Sequence, residues 1–579
     1  MVSSVVNKQS VGKSAFSQVD ARCILLIAFV GCISFLPLLG SAGLFDPTDS
    51  FFIESGREML ETQKFIVPLM NYEQWLDKPA LDFCLIATSL KLFGVSEFAG
   101  RLPAALSGIL EAILLFVLSR QILTVRQSLF SALSLLAFPL FIIVGRTSLS
   151  DEPLSLCFCC AVLSLAIASI KKRPIFLVPG YIGLGLAILL KGPPLALIFT
   201  GLAVGGYLLL AERANLFQAI WNLRPLVGLL AAAAIALPYY IWAHVGTNGE
   251  FTVNFFLRQN LGRAAGTVNH VRPFWWYVPV FLAGIFPWSL MLLTFSQRFF
   301  HRILHIDTAR STPRVKLLKF AACWAALGFC FFSAVPTKLE TYIVPILPAV
   351  ALLCGSYLDV LARAARSNFA RRAFIACLSC VAAVVIITPI ATKIAFKDAV
   401  QLFPLQLCAA GVLLIACGMG IRESFRSHLS RAGGWLLGAV ISYCAVFIPV
   451  IFVTYHDVYQ SPIDKLVTYA HDEHADLAVL FFSLPSVMYR YGHAIPLIKD
   501  EQDMRNFAEG APDKRWVLMN RDVLSLLKWT ERSPRVVAHE GRWWLFAVGK
   551  NCKKENTAEW NGLNVGVYPT LADRSKMKF

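Results

Sequence analysis

Charged residues are scarce in this chain: they make up 15% of its 579 residues, whereas hydrophobic residues make up 57%. Soluble domains carry about 25% charged residues, so much of the apolar surface must face something other than water. The scarcity excludes an ordinary soluble enzyme, a disordered chain and a secreted disulfide scaffold. The net charge of +17 would suit a nucleic-acid-binding protein, but surplus Lys and Arg in a membrane protein usually lie in cytoplasmic loops.

Several sequence patterns are missing as well. The cysteines have no spacing typical of a zinc ribbon, and no glycine-rich nucleotide motif stands between a strand and a helix. The sequence contains no internal repeat and no low-complexity segment. The first apolar stretch lacks a small-residue cleavage site, so it predicts a retained membrane anchor rather than a signal peptide.

Apolar stretches that are candidates for crossing a bilayer occur about fourteen times. They lie near 23–39, 79–93, 103–123, 128–144, 153–170, 174–190, 193–210, 226–244, 274–296, 316–333, 342–361, 372–391, 404–421 and 434–454. Basic clusters should lie on the cytoplasmic side, and they all do so if the stretch 79–93 does not cross. That stretch is the shortest and carries Asp82 and Lys91.

We therefore predict a mainly α-helical, polytopic membrane protein of about thirteen spans, with a cytoplasmic N-terminus. The transmembrane domain is predicted at 1–455 and has a long first outer loop, 40–102, in which 79–93 lies along the membrane face. Charged residues return in 456–579, and short apolar runs there, such as RWVLMN, are typical of strands. We expect a small soluble α/β domain on the outer side, which in a bacterium would be periplasmic.

Unusual polar residues converge on the predicted outer side. They are Asp46, Asp49, Lys78, Asp151, Lys191, Arg258, Arg263, His270 and Tyr342. Acidic groups beside a bilayer are costly unless they are paired or used. Carboxylates facing several cations would suit a transferase acting on a lipid phosphate, because carboxylates position an acceptor and cations stabilise a departing phosphate.

Most of these residues also have a purely structural interpretation. Asp49 and Asp151 could cap helices, and Asp46 could be a turn residue. Lys191 could mark only a break between two spans. Arg258 and Arg263 could be interfacial residues with snorkelling side chains, and His270 could be an ordinary loop histidine. A functional site is favoured because all of these residues lie on the same predicted side of the membrane.

Ordered motifs across residues 23–361 carry a family resemblance. They include PTDSFFIESGREML, WLDKPALDF, GRTSLSDEPL, LLKGPP and TKLETYIVPILPAVALL. The chain resembles the polyprenyl-phosphate-sugar-dependent glycosyltransferases with the C-type fold, close to the lipid A aminoarabinose transferases and the wider protein mannosyltransferase-like group. The resemblance implies transfer of a sugar from a polyprenyl phosphate to a lipid or other envelope acceptor at the outer face of the bacterial inner membrane, without a nucleotide.

The resemblance also implies roles for acidic residues. Asp49 matches the second acid of the family's acidic pair, whereas Thr48 replaces the first, so that either Asp49 or Asp46 takes the principal acidic role; Asp49 is favoured. Asp151 matches the acid after the fourth span, and with Asp49 it would orient or activate the acceptor.

Further roles concern the phosphate and a metal. Lys78 would hold the lipid phosphate, with Lys191, Tyr342, Arg258 and Arg263 as further phosphate ligands. Asp77, in place of the family's glutamate, would coordinate a divalent metal (Zn, Mg or Mn) together with His270.

Three other functions compete with this interpretation. They are a secondary transporter or lipid flippase, a polymerase or ligase of envelope polysaccharide, and a non-catalytic assembly protein. Transporters place their polar sites near the membrane midplane, often between repeats. The mid-span positions here are almost uncharged and no repeat is evident, which favours the transferase.

Overall fold

The structure is a computed structural model. It describes residues 17–47, 49–262, 271–293, 311–396, 402–480, 484–509, 515–520, 535–540 and 542–548. Of the predicted site residues, Arg263 and His270 lie outside the described ranges, as does Thr48.

Long apolar helices dominate the chain as far as Tyr459. The helices are α1 (Gln18–Phe35), α2 (Asp49–Thr62), α3 (Leu81–Phe93), α4 (Glu97–Ser119), α5 (Val125–Leu135), α6 (Pro139–Gly145), α7 (Asp151–Lys171), α8 (Leu177–Lys191), α9 (Pro193–Ala211), α10 (Leu216–Asn222), α11 (Pro225–Gly246), α12 (Tyr277–Gly284), α13 (Trp288–Leu293), α14 (Pro313–Ala334), α15 (Leu347–Arg363), α16 (Asn368–Ala395), α17 (Phe403–Phe425) and α18 (Leu429–Tyr459). A π-helical segment, Val253–Leu261, follows α11.

The described residues contain 11 helical segments long and apolar enough to cross a membrane, or 12 if the bent pair α5 and α6 counts as one span. The chain is therefore a multi-pass membrane protein, as predicted. The other predicted span, 274–296, consists of the short helices α12 and α13 where it is described, and residues 294–296 lie outside the described ranges.

The stretch 79–93 contains α3, a helix of 13 residues. At 1.5 Å per residue it is about 20 Å long, too short for a hydrocarbon core of about 30 Å. It packs on α2 and α4. Aromatic rings fill the contact with α2, where Phe52 and Phe83 stack at 5.2 Å between centroids. The first loop thus has its own small apolar core.

The segment after Tyr459 is a mixed α/β region. Its helices are α19 (Ser461–Asp472), α20 (Pro485–Tyr491) and α21 (Glu501–Glu509). Its strands are β3 (Asp476–Leu480), β4 (Leu497–Ile498), β5 (Arg515–Asn520), β6 (Arg535–Glu540) and β7 (Trp543–Ala547), while β1 (Leu69–Met70) and β2 (Glu73–Gln74) form a hairpin in the first loop. The five-stranded sheet has the order β4-β3-β5-β7-β6. The expected α/β region is confirmed, although the predicted boundary at 455/456 falls inside α18.

The α/β region docks on the first loop. The Asn71 side chain donates to the Ile495 carbonyl at 3.1 Å and accepts from the Ile495 amide at 2.8 Å. Arg490 forms an ion pair with Glu97 at 3.1 Å. Both contacts join parts of the chain that are far apart in sequence. Asn71 and Ile495, for example, are separated by 424 residues.

Candidate functional site

A small cleft opens where the first loop meets the end of α8. The residues that line it are Asp77, Lys78, Pro79, Lys191, Phe255, Gln259 and Asn260. Two lysines and an aspartate therefore face one small space. The cleft joins three sequence-distant segments, namely the motif before α3, the end of α8 and the π-helical segment.

One wall of the cleft is organised around Asp151, the first residue of α7. Lys191 Nζ lies 2.7 Å from Asp151 Oδ1, and the Thr341 hydroxyl donates to Oδ2 at 2.7 Å. The start of a helix favours negative charge, so this position suits a carboxylate. Lys191 Nζ also lies 5.2 Å from the centre of the Tyr342 ring. The structure thus brings the predicted residues Asp151, Lys191 and Tyr342 together.

Lys78 also lines the cleft. Its Nζ lies 4.1 Å from the centre of the Phe52 ring and 5.6 Å from that of Trp75. A cation over aromatic faces is held electrostatically. Lys78 therefore lies at the cleft in a defined position, and its role in binding a lipid phosphate stays a prediction.

Asp82 is a buried acid near the start of α3 to which the sequence analysis assigned no role. It lies in the first turn of α3, is 3% exposed, and its Oδ2 has no hydrogen-bond partner among the described residues. Burial raises the pKa of Asp82 to about 7; Lys78 and Lys191 oppose this rise and Asp151 adds to it. The sequence signal was an aspartate four residues after Lys78, in a short helix whose other charged residue is Lys91.

The predicted catalytic role of Asp49 is not supported by its geometry. Asp49 is fully buried, accepts from the Phe45 amide at 2.6 Å and pairs with Arg101 Nε at 2.7 Å. The Arg101 guanidinium also donates to the carbonyls of Leu39, Ala42 and Gly43. Both carboxylate oxygens are engaged, so Asp49 holds the loop to α4 and does not line the cleft.

Asp46 is likewise occupied by structural contacts. It accepts from the Ser50 hydroxyl at 2.7 Å, from the Gln460 amide group at 2.7 Å, and from the amide and hydroxyl of Ser486. Burial raises the pKa of Asp46, and these hydrogen bonds oppose the rise. Its contacts tie the first loop to the C-terminal region, so the alternative role as principal acid is not supported either.

The remaining predicted site residues lie at or near the cleft or outside the described residues. Arg258 lies exposed on the π-helical segment, where its guanidinium donates to Asn254 Oδ1 at 2.9 Å; the cleft is lined instead by its neighbours Gln259 and Asn260. Asp77 lines the cleft, but the described residues hold no group of three side chains suited to a metal. Since His270 lies outside the described ranges, the metal stays a prediction.

Comparisons with known proteins bear on the family. Residues 77–242 match the model of the dolichyl-phosphate-mannose-protein mannosyltransferase family. The chain is 29% identical over 346 residues to the undecaprenyl phosphate-alpha-4-amino-4-deoxy-L-arabinose arabinosyl transferase 2 of Proteus mirabilis, and 29% identical over 351 residues to the arabinosyl transferase of Serratia proteamaculans. These alignments cover 58% and 60% of the chain, and they span 59% and 60% of the two relatives.

A solved structure is similar over nearly the whole chain. It is ArnT from Cupriavidus metallidurans bound to undecaprenyl phosphate, with 20% identity and a TM-score of 0.75 over 92% of this chain and 99% of that one. Its apo state gives a TM-score of 0.71. The C-type glycosyltransferase fold predicted from the sequence is thereby confirmed, as is the resemblance on which that prediction rested.

Proposed function

We propose that the protein is an integral-membrane glycosyltransferase that moves a sugar from a polyprenyl-phosphate donor to a lipid A-like lipid or another envelope acceptor. The observation that carries the proposal is the cleft, in which Lys78 and Lys191 face the same space beside Asp151. Paired cations in a fixed position suit a phosphate. The names of the similar arabinosyl transferases and the lipid bound to ArnT support this donor class.

The proposed location is the outer face of the bacterial inner membrane, and the charge distribution supports it. The cleft lies where α7 begins and α8 ends. At the other end of these helices, Lys171 donates to the Gln121 carbonyl at 2.7 Å, and Arg120 pairs with Asp20 at 2.8 Å. Basic residues collect on the cytoplasmic side, so the cleft and the C-terminal α/β region belong to the outer side.

The proposed reaction is a displacement at the anomeric carbon of the donor sugar. An acceptor oxygen forms the new bond to that carbon, and the bond between carbon and phosphate oxygen breaks with its electron pair passing to the phosphate. A hydroxyl acceptor gives up its proton to water, whereas a phosphate acceptor attacks through an ionised oxygen. Lys78 and Lys191 stabilise the charge that develops on the departing phosphate. Asp151 positions Lys191, and Tyr342 lies against the same ammonium group.

The experiment measures transfer of radiolabelled sugar from a polyprenyl-phosphate donor to extracted envelope lipid by the purified protein. Lys78→Ala and Lys191→Ala should each lower the rate about a hundredfold or more, as expected when a group that stabilises developing charge is removed. Lys91→Ala is the matched control, because Lys91 is exposed at the far end of α3 and does not line the cleft.

Two outcomes would overturn the proposal. One is a wild-type rate in both cleft variants while they remain folded. The other is that wild-type protein transfers no sugar but moves the intact lipid across vesicle membranes. That result would favour the flippase.

A further inference from the structure

The loop 335–341, which follows α14, contacts the wall of the cleft through the side chain of Thr341. This residue lies at the start of the 3-10-helical segment Glu340–Ile346, and its hydroxyl donates to Asp151 Oδ2 at 2.7 Å. The other carboxylate oxygen, Oδ1, lies 2.7 Å from Lys191 Nζ, and Lys191 lines the cleft. One carboxylate thus connects a hydroxyl of the loop to an ammonium group of the cleft.

The same loop is attached to the segment that leads into α12. Lys338 is 2% exposed, and its ammonium group donates to the Arg272 carbonyl at 3.2 Å. The Tyr277 hydroxyl donates to the Leu339 carbonyl at 2.9 Å. A buried charge is costly unless hydrogen bonds satisfy it, so Lys338 favours the arrangement in which the loop and this segment stay together. The backbone that presents Thr341 is therefore held from outside the loop.

The two contacts of Asp151 act together on Lys191. Hydrogen bonds that involve an ionised group are stronger than those between neutral groups, and two of them from different directions restrict rotation of the carboxylate. The Lys191 ammonium group also donates to Ser150 Oγ at 3.3 Å, beside the same carboxylate. If the bond from Thr341 were lost, the carboxylate could turn, and the ammonium group paired with it would be held less closely.

We propose that Thr341 is a positioning residue, which acts through Asp151 to hold the Lys191 ammonium group at the cleft. This inference rests on the proposed function, in which Lys191 stabilises the charge on the departing phosphate. Thr341 itself contacts neither the phosphate nor the sugar in this mechanism. Its loss should lower kcat more than it raises the donor KM, because a displaced ammonium group is less effective at the moment when charge develops.

The first measurement does not depend on catalysis. Full-length protein in detergent is treated with a limiting amount of acetic anhydride, and mass spectrometry of its peptides gives the acetylation rate of Lys191 relative to that of the exposed Lys91. An amine held in an ion pair is protonated and reacts slowly, so Thr341→Val should speed acetylation of Lys191 by about threefold or more. Thr341→Ser keeps the hydroxyl and should behave like the wild type.

The second measurement is sugar transfer by the same variants. Thr341→Val should lower kcat by about tenfold to a hundredfold, with a smaller change in the donor KM. In the Lys191→Ala background the same substitution should lower kcat no further, because the group that Thr341 positions is absent. Thr88→Val is the matched control: this exposed threonine of α3 also donates a hydroxyl hydrogen bond, to the Cys84 carbonyl, and it does not line the cleft.

The outcomes separate the two proposals. Unchanged acetylation of Lys191 in folded Thr341→Val would overturn the positioning role, and so would equal losses of kcat with and without the Lys191 side chain. Thr341→Ala provides the same comparison should the valine variant fail to fold. Faster acetylation in Thr341→Val that Thr341→Ser reverses, in a protein whose wild type transfers no sugar, would support the positioning of Lys191 and count against the proposed function instead.

Discussion

At the scale of single residues, the acids of the first loop divide into structural and site groups. Asp49 and Arg101 form a buried ion pair, with the arginine 2% exposed. Removing one partner of such a pair leaves a buried charge and costs about 3–5 kcal/mol, whereas replacing both with apolar residues is often close to neutral.

The first prediction follows from this asymmetry. Arg101→Met should lower the thermal stability of the detergent-solubilised protein strongly, by about 3–5 kcal/mol in unfolding free energy. The double variant Arg101→Met, Asp49→Leu should recover part of that loss. Melting followed by intrinsic fluorescence checks both. A catalytic role for Asp49 would be favoured if Asp49→Asn lost activity at unchanged stability.

The second prediction concerns Glu58, a fully buried residue of α2. Its carboxylate accepts from the amides of Asn71 and Tyr72, both at 2.8 Å, yet burial raises its pKa to about 8 and the nearby Glu54 adds to the rise. The folded state therefore holds a proton that the unfolded chain releases near pH 4.5. The stabilisation that this bound proton provides is complete below pH 4.5 and is lost as pH rises through about 8.

Glu58→Gln should reduce the fall in melting temperature between pH 5 and pH 8.5, because glutamine mimics the protonated acid. Glu73→Gln is a suitable control, since Glu73 is exposed in the nearby hairpin. An unchanged pH profile in the Glu58 variant would contradict the assignment.

The sequence analysis predicted those residues at or beside the cleft that belong to a recognisable motif. Lys78, Lys191, Asp151 and Tyr342 were predicted, and the structure brings the last three into contact. Arg101 was missed because its partners are a carboxylate and three carbonyls from a distant loop, which no spacing reveals. The same reason explains why the ion pair of Asp49 was not predicted, and its catalytic role stays a prediction.

At the scale of elements, the turn between α8 and α9 positions one wall of the cleft. Gly192 has φ +99°, a backbone conformation that side chains rarely adopt, and a Cβ there would lie 2.6 Å from the Phe255 ring. It directly follows Lys191, and Phe255 lines the cleft. The turn thus fixes both the lysine and the ring.

The third prediction is that Gly192→Ala weakens lipid-phosphate binding and lowers stability, by roughly 1–3 kcal/mol for the strained backbone alone. Titration with farnesyl methyl phosphate, a short-chain polyprenyl phosphate diester, and thermal melting measure the two effects. Gly201→Ala on α9 should be tolerated, because nothing lies within 4 Å of a Cβ at that position. Equal behaviour of the two variants would show that the turn does not control the cleft.

Helix positions were largely predictable because hydropathy reports directly on membrane burial. The stretch 128–144 was predicted as one span, but the structure bends it by 63° between α5 and α6. Pro139 begins α6, and a proline lacks the amide that would continue the preceding helix. The bend angle depends on tertiary packing, which hydropathy does not encode.

At the scale of the whole molecule, the α/β region and the first loop form one interface. Asn71 makes two hydrogen bonds across it to the backbone of Ile495. The sequence predicted both parts but not their contact, because the partners are 424 residues apart.

The fourth prediction tests this interface. Asn71→Ala should leave two backbone groups of Ile495 without partners, at a cost of about 1–3 kcal/mol each if they stay buried, and should speed hydrogen exchange in 485–498. Mass spectrometry of exchanged peptides measures the effect. The control variant Gln502→Ala changes an exposed residue of the same region and should not speed hydrogen exchange in 485–498. Equal protection of this segment in the two variants would argue against the interface.

The contacts of Asp46 have a consequence for the order in which the protein is completed. Ribosomes make a chain from its N-terminus, so Asp46 emerges 414 residues before Gln460 and 440 residues before Ser486. Until then its carboxylate lacks three of the hydrogen bonds that satisfy it in the finished protein. The first loop, which contributes Lys78 to the cleft, therefore reaches its final packing only after Ser486 has been made, and a chain terminated before that residue would retain its membrane helices without these contacts of the loop.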